Sequence, residues 1–433
     1  MSWLEFYKII TGPVNLIATP VILFLEKSSN TPETWRQRRG LLPERVLKQA
    51  PFDLWIHGAS VGEMAALKAI VARVIETRPH TKVLVSSFTS SGALQAQKAF
   101  GKNFPIIQLP IDYPRATRLV ASAISPGIFC TVETELWPNL LFSLKRAGSK
   151  LLLLNGRISE RSFRSYRKIR FFLKDLLRSF DLICTITSTD RNRLLYLGAE
   201  AKKIRVCGNA KYEDLLLKAD PKEAEKIAQR LGLTSIEKPI IVAGSIRGDE
   251  YRLIHQAVTR LRQDGLDPFT VVVPRHLERI RELEKFFKDR KEPFQLSSHI
   301  LTDGPTTIYD NCSFLIVDQI GLLFHLYHCC QIAFVGGSLL PFGGQNIMEP
   351  AAWEKPVIFG PHVNNFQEAA DRLVRLGGGR MVKNDTELYL ELKKFLTDDL
   401  LGRKTGKMAK KALEKLGKGA ASVQAQKILE LLS

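Results

Sequence analysis

The stretch Leu54-Trp-Ile-His-Gly-Ala-Ser-Val-Gly-Glu63 runs from three apolar residues through a turn of small residues to a carboxylate. A strand, a tight turn and an acid in this order present a binding or catalytic group at the edge of an open α/β sheet. A second stretch of this kind, Gly343-Gly-Gln-Asn-Ile-Met-Glu-Pro350, lies in the second half of the chain. The two stretches predict two α/β domains, each with its own site.

Short apolar runs alternate with longer amphipathic segments along the chain. Uninterrupted apolar strands separated by helices are typical of parallel sheets that are covered on both faces. The runs lie at 54–56, 83–88, 106–109, 128–132, 151–154, 182–186 and 204–207, then at 240–243, 270–273, 314–317, 332–335 and 357–359. The predicted fold class is therefore α/β, with two Rossmann-like domains that face each other across a cleft.

Changes in composition place the domain boundaries. The segment between the two groups of runs is polar and rich in Lys and Glu, which is typical of a linker. We expect a membrane anchor over 1–27, an N-terminal domain over 28–208, a linker region over 209–238, a C-terminal domain over 239–419 and a final helix over 420–433. From sequence alone, that last helix could pack on either domain.

The charge of the chain predicts an anionic partner. The 433 residues carry a formal net charge of +19, which suits nucleic acid, an acidic membrane surface or a phosphorylated substrate. Nucleic acid is disfavoured because basic and aromatic residues are not interleaved and no helix-turn-helix is recognisable. The six cysteines lie mostly in apolar runs without CxxC spacing, which indicates a reducing compartment rather than disulfides or zinc.

The amino terminus contains a borderline membrane anchor. No charged residue occurs between Lys8 and Glu26, although Gly12, Pro13, Asn15 and Pro20 interrupt this segment. About twenty apolar residues span a bilayer, and the basic residues that follow place the body of the protein in the cytoplasm. A cleaved signal peptide is disfavoured. The alternative is a kinked apolar helix that packs on the protein itself.

A glycine turn in the second half predicts a phosphate site. Phe334-Val-Gly-Gly-Ser338 reads as a strand that enters a glycine turn, and residues 346–350 then open a helix. Glycines let a ligand approach the backbone, and the amides at a helix start favour an anion. Glu349 could accept hydrogen bonds from the two hydroxyls of a ribose, or it could simply cap the helix.

Seven motifs in order along both halves carry a family resemblance. They are Trp55–Glu63, Glu133-Thr-Glu-Leu-Trp-Pro-Asn139, Asn155-Gly-Arg-Ile-Ser159, Gly208-Asn-Ala-Lys-Tyr212, Val273-Pro-Arg-His276, Val335-Gly-Gly-Ser338 and Asn346-Ile-Met-Glu-Pro350. By these motifs the chain resembles the Kdo transferases of lipopolysaccharide assembly, which move 3-deoxy-D-manno-oct-2-ulosonic acid (Kdo) from CMP-Kdo to lipid A precursors. The resemblance implies the two-domain GT-B fold and a single N-terminal anchor in the inner membrane of a Gram-negative cell, with the catalytic domains in the cytoplasm.

The resemblance also implies roles for individual residues. Family members invert the anomeric centre, and Glu63 matches their proposed catalytic base, although in isolation it reads as a first-turn glutamate favoured by the helix dipole. The implied acceptor-binding residues are Ser60, Gly62, Glu133, Glu135, Arg157 and Arg161. The implied nucleotide-binding residues are Lys211, Ser245, Pro274, Arg275, His276, Gly336, Gly337, Ser338, Asn346 and Glu349. No metal or cofactor is expected, because GT-B enzymes generally lack the DxD motif and none occurs here.

A basic segment follows the third motif. Arg157, Arg161, Arg164 and Lys168 are spaced three or four apart, which predicts one basic helical face. Such a face would suit a phosphorylated lipid and the anionic inner leaflet, or it could simply be solvated.

The chain departs from the family pattern at several positions. Gln345 stands where many members have His, and Leu322 stands where many have Glu. The stretch Gly244-Ser-Ile-Arg-Gly-Asp-Glu250 is a loose version of the usual glycine-serine turn, so Ser245, Arg247 and Glu250 are second-rank candidates. Another GT-B nucleotide-sugar transferase, an epimerase and a non-catalytic membrane protein are the alternatives. The number of Kdo residues added stays open.

Overall fold

The computed structural model describes residues 3–28, 31–101, 103–302 and 308–432. The chain divides into two compact units. The first contains Met1–Asp214 together with Gly417–Ser433, and the second contains Leu215–Leu416.

The first unit is built on a parallel sheet that has seven strands among the described residues, in the order β3-β2-β1-β4-β5-β6-β7. The strands are β1 Leu54–His57, β2 Val83–Ser87, β3 Ile106–Gln108, β4 Ile128–Val132, β5 Lys150–Gly156, β6 Leu182–Thr185 and β7 Ile204–Val206. The helices are α1 Trp3–Ser28, α2 Pro32–Arg38, α3 Glu44–Leu47, α4 Val61–Thr77, α5 Ser90–Phe100, α6 Pro114–Ile124, α7 Pro138–Arg146, α8 Glu160–Lys168, α9 Arg170–Arg178, α10 Ser188–Leu197 and α11 Ala210–Lys218.

The core of the first unit lies on both faces of this sheet. Successive side chains of a strand point to opposite faces, so Trp55 and Phe129 pack in one cluster while Leu54 and Ile56 pack in the other. Because both faces are covered, every position of the central strands must be apolar or hydrogen-bonded. This is why the strands appear in the sequence as uninterrupted apolar runs.

The second unit repeats this architecture. Its described strands form a parallel sheet in the order β10-β11-β9-β8-β12-β13-β14. They are β8 Ile240–Ile246, β9 Phe269–Pro274, β10 Phe294–Leu296, β11 Phe314–Ile316, β12 Ile332–Val335, β13 Val357–Phe359 and β14 Gly379–Met381. The helices are α12 Pro221–Arg230, α13 Glu250–Gln263, α14 Ile280–Asp289, α15 Ser297–Thr302, α16 Leu323–Cys329, α17 Glu349–Ala352, α18 Gln367–Arg375, α19 Asp385–Thr397 and α20 Asp399–Gly417.

The predicted strands are confirmed, and two edge strands were missed. Each apolar run from the sequence forms a strand, whereas β10 and β14 lie at the two edges of the second sheet. An edge strand is covered less completely than a central one, so its sequence need not be continuously apolar. Gly379-Arg-Met381 accordingly carries no apolar run.

The predicted membrane anchor is not supported. Among the described residues, no helix combines the length and the hydropathy needed to cross a bilayer. Instead, α1 packs against α2 and also contacts α6, α7 and α9. The Tyr7 hydroxyl donates a hydrogen bond to Asp112 Oδ2 at 3.1 Å. The hydropathy of α1 is too low for a membrane span because prolines, a glycine and small polar residues interrupt its apolar segment.

The expected linker is helical, and the last helix has a definite position. Residues 209–238 contain α11 and α12, and the boundary between the units falls within α11. The final helix, α21 Ala420–Leu432, packs on α4 of the first unit. Gln424 is fully buried, and its Oε1 accepts a hydrogen bond from Asn155 N at 2.8 Å. Asn155 of the third motif therefore has a structural role.

Candidate active site

Glu63 lies in the first turn of α4, immediately after the turn that leaves β1. The residue is 6% exposed. Its Oε2 accepts a hydrogen bond from Ala59 N at 2.6 Å, and its Oε1 accepts one from the Ser60 hydroxyl at 2.7 Å. These bonds fix the carboxylate over the turn.

Burial makes Glu63 a stronger base than an ordinary glutamate. Desolvation raises the pKa of Glu63, and the hydrogen bond from Ser60 partly opposes this shift. The negative charge of Glu133 raises the pKa further, whereas the positive charge of Lys211 lowers it. A general base works best when its pKa lies near the working pH, and the direction of this shift makes Glu63 a better base than an exposed glutamate.

Glu133 lies directly after β4 and forms an ion pair with Lys211, the second residue of α11. The backbone of Glu133 is left-handed, with φ of 60°. The Lys211 ammonium also lies 3.7 Å from the position that a Cβ on Gly62 would take. The sequence assigned Lys211 to nucleotide binding, and that role stays a prediction; in the structure, Lys211 lies in the first unit beside Glu133 and Gly62.

Glu135 is the third acidic residue of this group. Burial, together with the negative charges of Glu63 and Glu133, raises the pKa of Glu135 to about 7. Neighbouring strands β1 and β4 bring the three acids together, since they end at the same edge of the sheet. We call Glu63, Glu133, Glu135 and Lys211 the carboxylate cluster.

The two arginines predicted for the acceptor side are exposed. Arg157 is exposed in the loop after β5, and its carbonyl oxygen accepts a hydrogen bond from the Thr134 hydroxyl. Arg161 is exposed on α8. Because α8 begins at Glu160, Arg157 precedes the helix, and the prediction of one helical face that includes it was wrong.

In the second unit, Glu250 organises the glycine turn after β12. The residue is fully buried. Its Oε1 accepts hydrogen bonds from Ser338 N and Leu339 N, both at 2.9 Å. Its Oε2 accepts hydrogen bonds from Gly337 N at 2.6 Å and from Arg247 N at 2.8 Å. From the sequence, Glu250 was only a second-rank nucleotide candidate. A carboxylate at the first position of a helix does not by itself indicate that it accepts hydrogen bonds from a distant turn.

These bonds occupy the backbone donors of the predicted phosphate site. The amides of Gly337 and Ser338 donate to Glu250, and Gly336 N donates to Gly244 O at 2.8 Å. A Cβ on Gly336 would lie 2.5 Å from Ile246 Cα, so this glycine makes room for the protein's own backbone. The three turn residues shape the loop, but their amides are already bonded and do not offer an anion site.

Glu349 is a buried acidic candidate for the nucleotide site of the second unit. Burial raises its pKa to about 7, while a hydrogen bond from Asn346 and the charges of Lys218 and Arg275 lower it. Asn346 Nδ2 lies 3.2 Å from Glu349 Oε1, and Asn346 Oδ1 accepts from Met348 N at 3.2 Å. The capping and binding interpretations are thus both compatible with the structure. Lys218 was not identified from the sequence as a residue whose charge acts on Glu349. Lys218 lies about two helical turns after Lys211 on α11.

The remaining nucleotide candidates lie at the carboxyl edge of the same sheet. Ser245 lies in β8 at a bulge, with φ of 53°. Pro274 is buried at the end of β9, and Arg275 and His276 follow it in exposed positions. His276 Nδ1 lies 3.4 Å from Glu278 Oε1. Strands β8, β9 and β12 are neighbours, so the structure brings these candidates together within one unit.

Two comparisons of sequence decide the family. Residues 33–214 match the family model of 3-deoxy-D-manno-octulosonic-acid transferase. A 3-deoxy-D-manno-octulosonic acid transferase of Haemophilus influenzae is 31% identical over 383 residues, which cover 87% of this chain and 86% of that protein. The chain belongs to the Kdo transferase family. The domain matched by the family model contains the carboxylate cluster.

One relative of the Kdo transferase chain is longer. A bifunctional glycosyltransferase/methyltransferase of Fusobacterium nucleatum subsp. nucleatum is 33% identical over 336 residues. The match covers 77% of this chain but only 51% of that protein.

Solved structures agree on the fold. UDP-GlcNAc 2-epimerase of Neisseria meningitidis, solved with UDP-GlcNAc bound, is similar with a TM-score of 0.61, over 87% of this chain and 99% of that one. The two chains are 14% identical, so this similarity shows the fold alone. The two parallel α/β units are those of the GT-B fold.

Proposed function

We propose that this Kdo transferase moves Kdo from CMP-Kdo to a lipid A precursor and inverts the anomeric centre. The observation that carries the proposal is the buried Glu63 carboxylate, which two hydrogen bonds hold in the motif of the family's proposed base. Its raised pKa and its position beside Glu133 and Lys211 suit a group that gains a proton during the reaction.

In the proposed step, Glu63 removes the proton from the attacking sugar hydroxyl. The hydroxyl oxygen bonds to C2 of Kdo while the bond from C2 to the CMP phosphate oxygen breaks, and CMP leaves with the electron pair. Attack opposite to the leaving group inverts C2. A protonated Glu135, with a pKa of about 7, would hydrogen-bond the acceptor without adding a third negative charge.

The departing CMP carries negative charge that the protein must stabilise. Of the candidates in the second unit, Arg275 is exposed at the end of β9, and its charge acts on Glu349. Lys218 acts on the same carboxylate. We propose that these two cations bind the phosphate and that Glu349 accepts the ribose hydroxyls.

We further propose that the protein works on the cytoplasmic side of the inner membrane, attached to its anionic surface. Exposed apolar side chains on α1 include Val21 (59%) and Phe24 (68%), and Phe171 on α9 is 50% exposed. Exposed basic residues of α8, such as Arg161 and Lys168, lie in the same unit. Apolar and basic side chains together bind a membrane interface. Flotation of the protein with anionic but not neutral vesicles would support this attachment. Equal flotation with both would contradict a contribution of the basic residues of α8 to membrane binding.

The activity is tested with purified protein, CMP-Kdo and a tetraacylated lipid A precursor. We expect CMP release and a gain in acceptor mass, and the mass gives the number of Kdo units added. Absence of both products would refute the proposal.

The role of Glu63 is tested by Glu63→Gln, which removes the base but keeps the size. General-base catalysis contributes about 10²–10⁴-fold, so we expect a loss of this size in kcat with CMP affinity unchanged. Glu76→Gln is the matched control, because Glu76 lies in the last turn of the same helix in an exposed ion pair with Arg73. Near-normal turnover of Glu63→Gln would mean that another base operates.

A further inference from the structure

A cavity of about 330 Å³ in the first unit lies between α1 and α6 and is separate from the carboxylate cluster. This volume lies at the lower end of the range for small-molecule sites. Its wall combines apolar side chains such as Ile22, Leu41 and Leu119 with the arginines Arg38 and Arg39. Arg115, from the first turn of α6, also lines it.

The cavity holds more positive charge than its surroundings neutralise. Arg39 pairs with Glu26 at 2.6 Å. Among the described residues, neither Arg38 nor Arg115 forms an ion pair. The described residues that line the cavity include no carboxylate and no side-chain amide. At Arg38 and Arg115, a binding anion would therefore find positive charge that no described carboxylate pairs with.

Arg38 has an unused hydrogen-bond donor. Its terminal nitrogen donates to Phe88 O at 2.7 Å, and its guanidinium lies 4.8 Å from the Phe88 ring centroid. Its Nε is buried without a partner, and burial lowers the pKa of Arg38. An unpaired buried donor costs stability, so Arg38 lines the cavity with a guanidinium whose hydrogen bonds are incompletely satisfied by the described residues.

The apolar part of the cavity opens towards solvent. Leu41 is 43% exposed and Leu119 is 45% exposed. Val21 and Phe24, two of the exposed apolar residues of α1, lie one turn or less from the lining residue Ile22. A ligand with a charged end and an apolar end would satisfy both parts.

We propose that this cavity binds the phosphate headgroup of a membrane phospholipid, with the first carbons of its acyl chains between Leu41 and Leu119. The small volume and the lack of carboxylate or amide groups favour a phosphodiester over the sugars of the acceptor. The proposal rests on the proposed membrane association and not on the transfer reaction. The lining of the cavity includes none of the residues proposed to bind the acceptor or the nucleotide.

The test is calorimetric titration of the full chain with dihexanoyl-phosphatidylglycerol below its micelle concentration. We expect saturable binding, and no binding of dihexanoylglycerol, which lacks the phosphate. Arg115→Gln should weaken binding about tenfold, because a lost charge-assisted hydrogen bond costs about 1.5 kcal/mol or more. Leu119→Glu should weaken it similarly by placing a negative charge at the opening.

Arg118→Gln is the matched control, since Arg118 is exposed on the same helix and does not line the cavity. Equal affinities of the Arg115 and Arg118 variants would overturn the proposal. Inorganic phosphate that binds as tightly as the lipid would also overturn it, as would competitive displacement of the lipid by the acceptor.

Failure here is distinguishable from failure of the proposed function. Missing phospholipid binding in a protein that transfers Kdo would refute only the lipid site. Phospholipid binding in a protein that transfers no Kdo would refute only the enzymatic proposal.

Discussion

Replacing Glu250 by Gln tests whether one buried carboxylate holds the glycine turn of the second unit. Each carboxylate oxygen accepts two backbone hydrogen bonds. In Gln one oxygen becomes an NH2 group, which cannot accept, so two amides lose their acceptor in either orientation of the side chain. A buried donor without a partner costs about 1–3 kcal/mol, which gives a loss of about 2–6 kcal/mol.

Hydrogen-exchange mass spectrometry measures this effect at the turn. The amides of Gly337, Ser338 and Leu339 should be protected in the wild type. Since 1.4 kcal/mol corresponds to a factor of ten, a loss of 2 kcal/mol should speed their exchange about 30-fold in Glu250→Gln. Urea unfolding of the full chain should show the same loss of stability.

Glu387→Gln is the control, because Glu387 accepts one exposed backbone bond, from Lys383 N at 2.9 Å. We expect that variant to lose less than about 1 kcal/mol. Exchange at residues 337–339 within twofold of the wild type in Glu250→Gln would refute our account of the turn.

Two further predictions concern charge. Glu349 has a folded pKa of about 7, above its ordinary value of 4.5, so the folded state binds its proton more tightly and stability falls as pH rises from about 4.5 to 7. Glu349→Gln should remove this fall, which is measured as the free energy of unfolding against pH. Parallel curves for the wild type and the variant would contradict this prediction. Lys211→Met removes a charge that lowers the pKa of Glu63, so the acidic limb of the profile of kcat/KM against pH should move to higher pH. An unmoved limb would show that Lys211 does not act through Glu63.

The positions of twelve strands along the chain followed from the sequence. Buried parallel strands need apolar residues at nearly every position, so the central strands were visible as runs. The motifs after those runs had to lie at the carboxyl edges of the sheets, where the structure places Glu63 and Glu349. The edge strands β10 and β14 escaped notice because their partial burial demands less apolar sequence.

Roles that depend on contacts between distant residues did not follow from the sequence. Lys211 and Glu133 are far apart in the chain, and only the adjacent ends of the elements bring them into an ion pair. The glycine turn looked like a phosphate site because its amides resembled free donors. Glu250, from another element, accepts hydrogen bonds from them instead.

The sequence by itself thus determined the two-domain α/β class, the family and the identity of the candidate base, because period, composition and motif order are local properties. Only the tertiary structure decided which donors and charges are already paired. In the structure, Lys211 pairs with Glu133, and the amides of the glycine turn donate hydrogen bonds to Glu250. Helix α1 packs against other helices of the first unit. Pairing depends on which side chains meet in space, and a linear pattern does not encode that.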